Sequence, residues 1–338
     1  MSDTRTTAPT REDDTDELTL VEAVREGLWT ELVRDDEVLL LGEDIGYTGG
    51  VFRATEGLID EFGPDRVVDT PLSEIGIAAT AIGLAEAGLT PIAELQFMGF
   101  TYPAIDQLFN RAARLHTRTR GHFNCPLVVR APFGGGIRAP DLHGESMEAI
   151  FVHHPGLKVV VPSTPRDAKG LIAAAVHDPD PVIVLEPKKI YRSVREPVPR
   201  DPFEVPIGEA NVRREGEDVS VFTWGAMTQP TLRAAEDLAD EVDVEVVDLR
   251  SLSPMDRDAI VESFKKTGRG VVVHEAPRTG GLAGEITAIL QEEALLYQEA
   301  PIERVTGYDV VYPLYELEDF QLPNPTRIRE GIEAAVEF

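Results

Sequence analysis

Short apolar runs recur along the chain, and between them apolar positions fall at helical spacing. The runs EVLLLG, RVVDT, PIAELQ, PLVVRAP, KVVVPS and PVIVLEP are dense in Val, Ile and Leu and end at turn residues. That pattern marks strands buried on both faces. Alternation of such strands with helices over short links predicts a parallel sheet covered on both sides. The proline-rich passage EPKKIYRSVREPVPRDPFEVP then breaks the rhythm, as a linker does. A second series follows in VSVFTWG, VEVVDLRS, GVVVHEA and IERVTG, again separated by helical patterns. The expected architecture is α/β with two doubly wound domains, over 17–188 and 209–338, joined by a linker over 189–208. Residues 1–16, polar and rich in Thr and Asp, are expected to form a disordered tail.

Ligands of open parallel sheets bind beyond the carboxyl ends of the strands. The chemically unusual residues fall there: Glu43 and Asp44 after VLLLG, Glu74 after RVVDTP, Phe100 after PIAELQ, and Gly134, Gly135, Gly136 and His143 after PLVVRAP. Glu74 opens a run of Ile, Ala and Gly that predicts a buried helix over 74–88, with Ser73 as its cap. An acid in a first helical turn gains about 0.3–1 kcal/mol from the helix dipole. Burying an ionised carboxylate costs several kcal/mol. Either Glu74 faces water, or a group outside this stretch hydrogen-bonds to it. His143 lies in a glycine-flanked loop, DLHGES, a setting that keeps an imidazole near neutrality and suits it to acid–base work. Ala79, Ala81, Gly83 and Ala85 make the helix small on more than one face, which permits close packing on its own sheet or on another helix.

Charge narrows the field of partners. The 338 residues carry 60 acids against 32 bases, a formal charge of −28, and the bases are six lysines and 26 arginines. Nucleic acid and anionic membranes are therefore poor partners. The acids are dispersed along the chain, as on a surface adapted to concentrated salt, where screening removes self-repulsion over a few ångström. A halophilic cytoplasm is the expected setting. Cys125 is the single cysteine, which excludes an internal disulfide framework and fits a reducing compartment. The longest apolar run, near Ile75–Ala85, is too short to span a membrane, and the N-terminus has no apolar signal core. A soluble, cytoplasmic protein is expected.

Common phosphate and metal signatures are missing. No Walker loop occurs, and GGGIRAPDLHG lacks dinucleotide-loop spacing. His153 and His154 are adjacent and point apart, and HEAP lacks the second histidine of a zinc-protease motif. No G-D-G segment with a downstream Asn is present, the pattern by which thiamine enzymes hold magnesium and diphosphate.

The segments LGEDIG, VDTPLSEIG, IAELQFMGF, AIDQ, GGGIRAPDLHGES, HHPGLKVVVPSTPRDAKGLI, DPDPVIVLEPKKIYR and HEAPRTGGLAGEI appear in order from about residue 17 to the C-terminus. Together they resemble the β subunit of the thiamine-diphosphate-dependent 2-oxo acid dehydrogenase first component. The resemblance implies a transketolase pyrimidine-binding domain followed by a transketolase C-terminal domain. It also implies an α2β2 heterotetramer whose α subunit carries the magnesium-diphosphate site, and acyl transfer to a lipoyl acyltransferase. EPKKIYR, HEAPRTGG and EAPIERVTGYD lean towards branched-chain relatives, while GGGIRAPDLH also occurs in pyruvate enzymes. Branched-chain 2-oxo acids and pyruvate both stay open as substrates, with an acetoin-cleaving relative or a non-catalytic docking subunit as alternatives.

The same resemblance assigns roles. Glu74 would hydrogen-bond the pyrimidine nitrogen of the cofactor opposite its amino group, and Phe100 would stack on that ring, though by itself Phe100 also reads as a core residue. Glu43 would be a second acid near the pyrimidine, and otherwise reads as a loop acid. His143 would donate a proton as lipoamide is opened. The HDPDP turn would hold potassium through Leu127, Ala175, Val176, Asp178 and Asp180, where relatives often carry Asn in place of Asp180; a hard cation prefers such oxygen ligands.

Overall fold

The computed structural model describes residues 15–338. All ten apolar runs form strands. In chain order the strands are β1 (Thr15–Thr19), β2 (Val38–Gly42), β3 (Val67–Asp69), β4 (Thr90–Glu94), β5 (Val128–Phe133), β6 (Lys158–Val160) and β7 (Val182–Pro187), then β8 (Arg195–Pro199), β9 (Asn211–Arg214), β10 (Val219–Thr223), β11 (Val244–Asp248), β12 (Ser251–Ser253), β13 (Gly270–Pro277) and β14 (Glu303–Gly307). They build a seven-stranded sheet in the order β12-β6-β7-β5-β4-β2-β3 and a five-stranded sheet in the order β14-β13-β10-β11-β9. Both sheets are parallel except at one edge each, where β12 runs antiparallel to β6 and β9 antiparallel to β11.

Successive strand residues point to opposite faces, so the apolar runs feed two layers. Leu40, Ile92, Val128, Val160 and Val184 pack with Val221, Val246 and Val271 in one layer. Leu41, Ala93, Val129, Val159 and Ile183 pack with Phe222, Val247 and Val272 in the other. Helix Leu20–Arg34 starts at a capping box in which Thr19 and Glu22 satisfy each other's backbone. It lies on helix Pro165–Val176, close enough that a Cβ on Gly27 would stand 3.3 Å from the Lys169 Cα.

Three expectations change. Thr15 and Asp16 are strand residues rather than tail, and the remainder of the expected tail lies outside the described residues. The expected linker contains β8, which pairs antiparallel with β1 from Thr15 opposite Pro199 to Thr19 opposite Arg195. Prolines are tolerated there because the pair is a two-stranded ribbon of edges. The helix expected over 74–88 ends at Glu86. The small strand β12, which the apolar pattern did not mark, carries chain from the second series into the first sheet.

Candidate active site

The carboxyl ends of β2, β3, β4 and β5 bring Glu43, Glu74, Phe100 and His143 to one end of the larger sheet. Ser73 caps helix Glu74–Glu86 by accepting from the Gly76 N–H at 3.3 Å, so Glu74 stands in the first turn, half-buried. Glu43 follows β2 directly and is also half-buried. Burial pushes its carboxyl above the ordinary range, and the nearby negative charges of Asp44 and Glu74 push it further. The two acids thus share one electrostatic neighbourhood.

Aromatic rings gather at the same sheet end. Phe97, buried and missed by the sequence reading, has its ring centre 4.3 Å from that of His143 and 5.5 Å from that of Phe100. Phe100 meets His143 edge-on at 4.9 Å, and Phe52 closes the group at 5.5 Å from Phe97. His143 Nδ1 lies 2.8 Å from the Asp141 carbonyl. A carbonyl only accepts, so Nδ1 carries the proton and Nε2 is the free position of the neutral ring. The segment bearing His143 is closed at its base by the Gly134 N–H donating to the Glu145 carbonyl at 3.0 Å.

Beneath the site lies a buried ionic triad that sequence reasoning did not find. Arg130 of β5 donates from Nε and Nη2 to the two oxygens of Glu186 of β7, each at 2.7 Å, and from Nη1 to Glu94 of β4. Tyr191 donates its hydroxyl to Glu186. Burial raises the Glu94 carboxyl and the Arg130 charge opposes it. The fork geometry makes such a pair strong and directional. Its only sequence signal was one charge inside each of three otherwise apolar strands.

The HDPDP turn is arranged around a lysine. Lys158 Nζ lies 2.7 and 2.6 Å from the two oxygens of Asp178 and 3.6 Å from Asp180. The Leu127 carbonyl accepts from the Val182 N–H at 2.9 Å, which leaves it a second lone pair, while the Ala175 carbonyl accepts from the N–H groups of both Asp178, at 3.4 Å, and His177. Among the described residues no group of three or more His, Cys, Asp and Glu side chains could hold a metal ion.

The arrangement near Glu74 fits a flat heteroaromatic: a carboxylate for a ring nitrogen and aromatic faces for the ring. Residues 16–194 match the family model described as transketolase, pyrimidine binding domain, and residues 208–328 that of the transketolase C-terminal domain. The chain is 48% identical over 323 residues to the pyruvate dehydrogenase E1 component subunit beta of Staphylococcus epidermidis, covering 95% of this chain and 99% of that one. It is 46% identical, with the same coverage, to the protein of that name from Bacillus subtilis. Among solved structures it is similar to a split-gene transketolase, an inactive β4 tetramer, with TM-score 0.78 and 23% identity over 95% of this chain and 99% of that chain.

Proposed function

The chain belongs to the family of transketolase-like E1 component β subunits, and on that footing we propose that it is the β subunit of a thiamine-diphosphate-dependent 2-oxo acid dehydrogenase. The reaction is oxidative decarboxylation of a 2-oxo acid with acyl transfer to a lipoyl group. The observation that carries this reading is Glu74 at a helix start in the electrostatic neighbourhood of Glu43, at the same sheet end as the Phe97–Phe100–His143 corner.

Bound thiamine diphosphate supplies the carbon nucleophile and the electron sink. In the proposal Glu74 shares a proton with the ring nitrogen of the aminopyrimidine, a charge-assisted bond of roughly 1.5–3 kcal/mol that offsets part of the cost of its burial. Glu43, its carboxyl raised by burial and by the charges of Asp44 and Glu74, is the second acid near the pyrimidine. Phe100 and Phe97 orient the ring and exclude water. Protonated to the imidazolium, His143 donates from Nε2 the proton that the second sulfur takes up when the lipoyl disulfide opens and the first sulfur accepts the acyl group.

The diphosphate and its magnesium are assigned to an α subunit in an α2β2 assembly, because this chain offers the pyrimidine end alone. Large apolar side chains next to the site residues support a covered face: Tyr47 is 84% exposed, Leu72 71% and Tyr102 51%. Patches of that kind mark contact surfaces. Lipoyl acyltransferase is the proposed acyl acceptor. Potassium at the HDPDP turn is proposed on the carbonyls, with Asp178 already neutralised by Lys158. A cytoplasmic, salt-adapted setting is proposed from the single buried free cysteine and the charge of −28; no helix among the described residues is long and apolar enough to cross a membrane.

Pyruvate is the proposed substrate, from the names of the Staphylococcus and Bacillus relatives. The segments EPKKIYR and HEAPRTGG favour branched-chain 2-oxo acids as the second reading. Titration calorimetry with thiamine diphosphate and magnesium, on the chain alone and mixed with its α subunit, tests the assembly. Binding and decarboxylation are expected in the mixture only, and tight binding by the chain alone overturns the proposal. A panel of pyruvate, branched-chain 2-oxo acids and acetoin given to the mixture assigns the substrate.

A further inference from the structure

The loop that carries His143 is held mostly by the other domain. Glu275, at the end of β13, accepts from the Gly135 N–H at 2.8 Å. Glu318 accepts from the N–H groups of Gly136 at 2.8 Å and Arg138 at 3.2 Å, and the Arg138 guanidinium pairs with Asp319 at 2.7 Å. Between these anchors the Tyr312 ring is wedged against both arms of the loop. A Cβ on Gly135 would overlap its hydroxyl, and a Cβ on Gly144 would overlap its ring carbons. Gly144 is the residue after His143, so the wedge touches the backbone that aims the imidazole. On the opposite side Gly99 packs so closely on the Leu142 carbonyl that a Cβ there would overlap it.

We propose that Tyr312 and Glu318 are positioning residues that fix the His143 imidazole against Phe97 and Phe100, so that the second domain controls the acyl-transfer half of the reaction and leaves decarboxylation to the first. This rests on the acid–base reading of His143. Proton delivery demands placement within a hydrogen bond's reach, and a displacement of about 1 Å can cost 10²-fold. Glu74 stands on a helix of the first domain, outside the clamp, and its work is untouched by the wedge.

The test uses the assembled α and β enzyme with two readouts: reduction of an artificial electron acceptor by the 2-oxo acid, and acyl transfer to a lipoyl domain. Tyr312→Ala is expected to lower acyl transfer about tenfold to a hundredfold while the acceptor assay stays within about twofold, and Tyr312→Phe, which keeps the wedge, restores acyl transfer. Hydrogen exchange by mass spectrometry should show faster exchange over 134–145 in Tyr312→Ala and in Glu318→Ala, with helix Glu74–Glu86 unchanged. Equal losses in both assays, or no loss in either, overturn the inference. His143→Ala, in which the clamp is intact, is the control. If His143→Ala splits the two assays and Tyr312→Ala does not, the clamp is wrong. If His143→Ala itself does not split them, the reading of His143 falls and the clamp with it. Should Tyr312→Ala fail to fold, Gly144→Ala places a methyl group where the ring stands and must give the same split, or the inference is overturned.

Discussion

Lys188 holds its ammonium 5.5 Å from the centre of the Phe97 ring, on a side chain 4% exposed that has no hydrogen-bond partner among the described residues. A buried ammonium without a direct partner depends on the field around it. Burial pulls its pKa down to about 8, and the charges of Glu275, Glu318 and Glu145 act to hold it up. Lys188 is therefore the cation that balances the acids anchoring and flanking the His143 loop.

A folded pKa of about 8, below the usual lysine value of 10.5, means that the folded state gives up this proton before the unfolded chain does, so the wild type gains stability as pH rises from about 8 to 10.5, by roughly 3 kcal/mol. Lys188→Met has no ammonium to release and should lack that gain. Urea unfolding of both proteins at pH 7 and pH 10 checks this, and a stability difference independent of pH would show that the lysine acts by packing alone.

Glu148 gives a second pH signature. It is 1% exposed, and burial pushes its carboxyl up to about 7, with Glu275 adding to the rise and its own backbone and Trp224 opposing it. A folded pKa above the unfolded value means that the folded state keeps a proton which the unfolded chain has lost. Stability is then full below about pH 4.5 and falls as pH rises through 7, by roughly 3 kcal/mol in all. Glu148→Gln removes that loss, so its melting temperature relative to the wild type should rise by a few degrees between pH 5 and pH 8. Asp248, also pushed up to about 7 by burial, titrates in both proteins and cancels in the difference. A constant offset across pH would contradict the assignment.

Glu74→Gln keeps size and one hydrogen bond but cannot share a proton with a ring nitrogen. In the assembled enzyme, hydrogen–deuterium exchange at the reactive carbon of bound thiamine diphosphate should slow on the order of 10²-fold or more. Exchange at the wild-type rate would leave Glu74 as a helix-capping acid.

A charge of −28 predicts that salt raises the melting temperature by screening self-repulsion. If the carbonyls of Leu127, Ala175 and Val176 also hold potassium, potassium should stabilise more than sodium at equal ionic strength. Superimposable curves for the two cations would remove the specific site and leave screening.

The apolar runs were legible because each gathers Val, Ile, Leu or Phe in a short stretch bounded by turn residues. Strands β1, β8, β9 and β12 were not. β8 contains Pro197 and Pro199, and β12 is three residues of Ser and Leu, so neither differs locally from a loop. Glu43, Glu74, Phe100 and His143 could be placed at one sheet end because parallel strands fix where their following loops go. Phe97 escaped notice since a buried phenylalanine beside a strand looks like any core residue. The triad of Glu94, Arg130 and Glu186 was invisible for another reason: its partners are 36 and 56 residues apart, and only the strand order β7-β5-β4 makes them neighbours. The clamp on the His143 loop spans 140 to 182 residues and depends on how the domains meet.

Strand β12 bears on how the molecule comes apart. Ser251 and Ser253 belong by sequence to the second series of strands, yet they pair with Val160 and Val159 at the rim of the first sheet. A fragment ending near residue 208 would keep every long strand of that sheet and still expose the unpaired backbone of β6 beside an apolar layer. Free edges of that kind recruit other chains. Such a fragment should be recovered as aggregate, and the intact chain should unfold in one transition, since the first sheet takes its rim strand from the second half and each apolar layer holds residues of both halves.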